Sequence, residues 1–170
     1  MAILNFLPEF KIVEINRSTG LVAGHVLAQF PLADDAGLAV EKGGVSYLEN
    51  GFIVSLNTDL ELVPFTGQAQ PLLVFTEELN TFFDGLKWYA TMEDEEDGII
   101  YPRAIGLFVG DAFTTNNFAG TYTTQAFAKV VDGVLTLQAT ADGDTLFAVE
   151  ESTLPTGELA LRFVYVGEVA

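Results

Sequence analysis

The sequence predicts an all-β fold, an antiparallel sandwich or barrel with hairpins and one short helix near residues 76–83. Three observations carry that expectation. Segments that alternate apolar with polar side chains recur along the 170 residues. Turn dipeptides of the Asp-Gly and Asn-Gly kind separate them at spacings of about ten residues, as in sandwiches and barrels. Apolar residues make up 49% of a chain whose formal charge is −17, and its mean hydropathy is still +0.34. Excess apolar content of this kind suits a core with many inward-facing residues, or an interface with other protein.

Taken in order, Phe10 to Ile15 predicts a strand and Arg17-Ser18-Thr19-Gly20 a turn. Leu21 to Phe30 resumes extended structure, closed by Pro31. Val45–Leu48 and Phe52–Leu56, separated by Asn50-Gly51, predict a hairpin. Leu60 to Phe65 predicts a strand that Pro64 pushes to a sheet edge, because proline has no N–H to give to a ladder. The helix is expected from Thr76 as N-cap, with Glu77 and Glu78 in the first turn and Leu79, Phe82 and Phe83 on one face. Asp84-Gly85 ends it, and Leu86 to Thr91 is extended again.

The C-terminal half predicts a meander. Gln125–Val131 and Val134–Thr140 flank Asp132-Gly133, a strong hairpin signal because a type I′ turn needs positive φ at both central residues. Ala141-Asp142-Gly143-Asp144 turns the chain into Thr145–Glu150, and Leu154-Pro155-Thr156-Gly157 leads to the last strand. That strand, Glu158–Val166, sets Leu159, Leu161, Phe163 and Tyr165 on the core face and Arg162 on the other. With no fixed-period repeat and no low-complexity linker, residues 1–170 predict one domain.

Charge narrows the function classes. Twenty-four acidic against seven basic residues make a field that repels nucleic-acid phosphates and anionic lipid heads. Neither nucleic acid nor membrane is expected as a partner. No apolar run reaches the ~18 residues that cross a bilayer, and the first residues lack a basic region and cleavage site, which predicts folding in a cytoplasm. Zero cysteines remove disulfides, thiol nucleophiles and most structural zinc sites.

No residue is assigned a catalytic, cofactor-binding or metal-binding role. Glu93-Asp94-Glu95-Glu96-Asp97 fails the full spacing of a calcium loop, which joins alternate acids to a central glycine and a distal bidentate glutamate, and predicts a solvated segment. Asp142-Gly143-Asp144 is what a tight turn asks for. His25, the single histidine, lies on an apolar strand, and Ser18, Ser46, Ser55 and Ser152 all sit outside Gly-x-Ser-x-Gly. Gly43-Gly44 lacks a following phosphate-binding Lys-Ser/Thr, and Gly106-Leu107-Phe108-Val109-Gly110 punctuates a strand. Asp111 to Tyr122 has the composition of a loop yet displays Phe113, Phe118 and Tyr122, which either plug the end of a sandwich or anchor an interface. Ile3, Leu4, Phe6 and Leu7, before Pro8, suit either an arm (residues 1–9) laid on a neighbour or an ordinary first strand.

Two stretches resemble a known family. Tyr101-Pro102-Arg103-Ala104-Ile105-Gly106-Leu107-Phe108-Val109-Gly110-Asp111-Ala112-Phe113-Thr114-Thr115-Asn116 is similar to a Gly-Asp-x-Phe-Thr-Thr-Asn phrase of small tailed-bacteriophage structural proteins. Leu146 to Phe163, with its Thr153-Leu154-Pro155-Thr156-Gly157 turn, resembles their closing strand–turn–strand unit. The likeness, confined to about residues 101–166, is to head decoration (cement) proteins. It implies a non-enzymatic protein on the outer surface of the capsid, assembled in the host cytoplasm, with the major capsid protein and further copies of itself as partners, a trimer favoured. It carries no family functional residue onto any position. The alternative is a carbohydrate- or surface-binding β-sandwich of a fibre or other virion appendage, which would use exposed Trp and Tyr platforms such as Trp88.

Overall fold

The computed structural model describes residues 11, 13–17, 26–42, 45–67, 69–75, 82–83, 86–87, 98–154, 157 and 159–167. Among these the strands are β1 (Val13–Arg17), β2 (Val26–Gln29), β3 (Val40–Lys42), β4 (Val45–Tyr47), β5 (Ile53–Leu56), β6 (Leu62–Pro64), β7 (Leu72–Val74), β8 (Phe82–Phe83), β9 (Leu86–Lys87), β10 (Arg103–Gly106), β11 (Ala112–Thr115), β12 (Phe127–Val131), β13 (Val134–Gln138), β14 (Phe147–Thr153) and β15 (Leu159–Tyr165). The fold is all-β. A six-stranded sheet runs β1-β11-β15-β14-β12-β13, a five-stranded one β2-β10-β7-β5-β6, and β3-β4 and β8-β9 form two small ribbons.

The two large sheets share a core. Val13, Phe113, Ala128, Leu135, Phe147, Leu161 and Phe163 from the first meet Ile53 and Leu73 from the second. The next residues along the five-stranded sheet, Val54, Leu72 and Val74, belong to a second cluster with Leu32, Ala36, Leu38 and Ile100. Side chains alternate faces along a strand, so β5 and β7, inside the five-stranded sheet, are buried on both sides.

Local chemistry places several elements where the sequence predicts them. Asp132 and Gly133 both have positive φ, 48° and 78°, and pair β12 with β13. The hairpin tip also ties the two sheets together: Ile53 N–H donates to Gly133 O at 2.8 Å. A Cβ on Gly133 would stand 3.1 Å from Leu38 Cδ2 and 3.3 Å from Ile53 O. Pro64 does end on an edge, since β6 is the outermost strand of its sheet. β14 and β15 pair over seven residues, from Phe147↔Tyr165 to Thr153↔Leu159.

Other expectations are corrected. The meander is interrupted, because β12 lies between β14 and β13. The 139–146 connection is long enough to carry the chain past β12, and β13 is met on its other side by Ala119, whose N–H donates to Leu135 O. Asn50-Gly51 does not close a hairpin: β4 pairs with β3, and β5 with β6 and β7. The turn hands the chain from one sheet to another. Gly51 is packed so closely that a Cβ there would lie 2.8 Å from Thr115 Oγ1.

The helix expected near 76–83 falls largely outside the described residues. Its last two, Phe82 and Phe83, form strand, paired with Lys87 and Leu86. The intervening Asp84-Gly85 is a hairpin signal as much as a helix stop. The first strand runs to Arg17, past the expected turn start. On β15 the core face begins at Leu161. Leu159, opposite Thr153 at the end of the ladder, is 54% exposed.

Candidate interaction surface

The stretch read as an aromatic loop is in its first third a central strand. All four residues of β11 are buried, between β1 and β15. β-branched Thr114 and Thr115 fit a pleated sheet, and Thr115 Oγ1 accepts the Asn117 N–H at 3.0 Å.

Phe113 is therefore a core residue, 1% exposed. Its ring stacks on Phe163 at 5.8 Å and meets Phe147 edge-on at 5.9 Å. Of the two roles open to this aromatic stretch, the enclosed Phe113 ring takes the packing one. Phe118 and Tyr122 are half-buried and pack on the same core, Phe118 at 6.2 Å from Phe163. They plug the end of the sandwich with their inner edges and leave their outer edges at the surface. Ile3, Leu4, Phe6 and Leu7 lie outside the described residues, as do His25, Trp88 and the Glu93–Asp97 run.

The remainder of the loop is braced from three sides. Asn117 Nδ2 donates to Asn50 O at 2.7 Å. Ala119 bridges β13, receiving Leu137 N–H at 3.1 Å. Gln125 Oε1 accepts the Thr123 and Thr124 N–H groups at 2.6 and 3.2 Å. Between these anchors Ala119, Gly120, Thr121, Thr123, Thr124 and Ala126 are exposed. From Ala112 to Ala128 the chain carries no charged residue. The segment's own side chains are thus uncharged on a strongly acidic protein, it is held in place by hydrogen bonds, and Lys11 Nζ donates to Asn116 O at 3.1 Å beside it.

Comparison with known proteins finds no matching family model, no matching curated protein and no matching solved structure.

Arg162 and Asp142, both at the surface, are engaged within the chain. Arg162 Nη1 donates to Glu150 Oε2 at 2.7 Å, the two residues lying opposite each other on β15 and β14. Asp142 accepts from Gln138 Nε2, Thr145 Oγ1 and the Asp144 N–H, with Lys129 Nζ 3.6 Å away. The Gln138 hydrogen bond first, then these others, hold its carboxyl below the usual aspartate range. Thr145 is buried, accepts the Asp142 N–H at 2.8 Å and accepts from Gln138 Nε2 as well. Asp142-Gly143-Asp144 is thus a turn that closes on itself. Among the described residues, no group of three His, Cys, Asp or Glu side chains is placed to hold a metal ion, and no helix is long and apolar enough to cross a membrane.

Proposed function

We propose that this protein is a non-enzymatic virion component that binds and stiffens the outer surface of a phage capsid. The observation that carries the reading is the braced segment around Phe118 and Tyr122, whose own residues carry no charge, on a chain of net charge −17. A β-sandwich that presents a partly aromatic segment without carboxylates suits docking on a protein lattice, since contact with that segment buries none of its own charges. The acidic remainder would keep decorated particles from adhering to nucleic acid and to one another. The likeness of residues 101–166 to head decoration proteins points the same way, and implies that copies of the chain associate with each other.

Co-sedimentation with empty capsids of the cognate major capsid protein tests this. Saturable pelleting, lost in a Thr121→Asp/Thr124→Asp double variant with an unchanged melting temperature, is the expected result. No pelleting at roughly tens of micromolar chain, or binding on a glycan array in its place, would reject it.

A further inference from the structure

The sequence holds one Asn-Gly dipeptide, Asn50-Gly51, and this pairing has a chemistry of its own. The main-chain nitrogen of the glycine can attack the asparagine Cγ, because no Cβ on the following residue blocks the approach. A five-membered imide forms, the Cγ–Nδ2 bond breaks, and ammonia leaves with the proton that the glycine nitrogen gives up. Water then opens the imide at either carbonyl, to aspartate or to isoaspartate. No oxidant, reductant or enzyme enters.

Gly51 cannot be exchanged for a residue that slows this reaction. Its φ is 91°, and a Cβ there would lie 2.8 Å from Thr115 Oγ1, 2.9 Å from Asn117 Cβ and 3.4 Å from Val13 Cγ2. The fold thus demands the residue that makes Asn50 reactive.

The same fold holds the reaction off. Attack needs a Gly51 nitrogen free to lose its proton and a peptide free to turn toward Cγ. Gly51 N–H donates to Val74 O at 2.9 Å and Asn50 O accepts from Asn117 Nδ2 at 2.7 Å, so that peptide is held at both its nitrogen and its oxygen. On either side, Glu49 Oε2 accepts the Lys11 N–H at 2.8 Å and Phe52 O accepts the Val74 N–H at 2.9 Å. Gly51 is buried, and a buried, hydrogen-bonded N–H becomes reactive only when the structure around it opens.

We propose that Asn50-Gly51 is a deamidation site which the native fold keeps closed, and which makes prolonged unfolding of this chain irreversible. Isoaspartate lengthens the main chain by a methylene and adds a carboxylate next to Glu49. At a junction of β1, β5 and β11 too tight for a Cβ, the longer backbone does not repack. Chains that open here and react are lost to the native state, as when chemical modification outruns refolding. The inference concerns the body of the fold and stands apart from the capsid reading.

The full chain, held at neutral pH in guanidinium chloride or in buffer alone, tests this by peptide mapping and by refolding on dilution at intervals. In denaturant, Asn50 should convert to aspartate and isoaspartate before any other asparagine. In the native chain the conversion should be slower by roughly a hundredfold or more, since it waits on opening. Refolding yield should fall in step with isoaspartate formation. The yield should be retained after equal time unfolded at mildly acidic pH, where the glycine nitrogen keeps its proton, and in Asn50→Gln, whose longer side chain closes a ring slowly. Equal rates in native and unfolded chains, another asparagine reacting first, or isoaspartate-bearing chains refolding as fully as unreacted ones would overturn the proposal.

Discussion

Phe113 and Phe163 face each other across β11 and β15, registered as direct partners with their rings 5.8 Å apart and 23° from parallel. Phe147 closes the group edge-on to both, at 5.9 Å from Phe113 and 6.3 Å from Phe163. Offset and edge-on pairs of this kind add to the burial energy of the rings themselves.

Phe163→Ala or Phe113→Ala is therefore expected to cost ~3–5 kcal/mol, by removing a buried ring and leaving a cavity. That is a large share of a stability of about 5–15 kcal/mol. Leu159→Ala, on the same strand but exposed, should stay within about ±0.5 kcal/mol. Urea denaturation of the three variants checks this, and a tolerant Phe163 would mean the register is wrong by one residue, which turns the other face of the strand to the core.

Arg162 is engaged by Glu150 of its own chain, so its loss should matter little to the fold. A double-mutant cycle on Arg162→Ala and Glu150→Ala should return a coupling of roughly 0.2–1 kcal/mol that shrinks with added salt. Loss of assembly with Arg162→Ala would show instead that the guanidinium reaches a second molecule.

Gly133→Ala should destabilise by about 1–3 kcal/mol, because alanine must adopt a strained positive φ and its Cβ meets Leu38 and the Ile53 carbonyl. Asp132→Gly, at the neighbouring position of the same turn, should be tolerated. Melting temperatures decide this, and a neutral Gly133→Ala would argue that the hairpin tip is not held against β5.

Asp142 predicts a pH dependence with a definite sign. Its folded-state pKa lies below that of the unfolded chain, chiefly through the Gln138 hydrogen bond. Its contribution to stability is complete above the unfolded value and is lost as pH falls through the folded one. Asp142→Asn should thus flatten the acid limb of the stability curve below the ordinary aspartate range. Superimposable acid limbs for variant and wild type would contradict it.

The sequence alone determined the all-β class, the Asp132-Gly133 turn, the β14–β15 pairing, the edge position of Pro64 and the core role of Leu161 and Phe163. Each rests on a short-range cause: positive φ in a two-residue turn, a missing N–H, or alternation along one strand. Tertiary structure alone decided the strand order, with β12 between β14 and β13, and the transfer between sheets at Asn50-Gly51. It also made Ala112-Phe113-Thr114-Thr115 a central strand, although Thr and Asn nearby give the segment the composition of a loop. Phe113 is an enclosed core ring while Val109, four residues earlier, stands in solvent, and no local pattern separates the two. Which side chain is hidden depends on which distant strand lies across from it, and pairing between segments far apart in sequence is governed by the burial of whole faces.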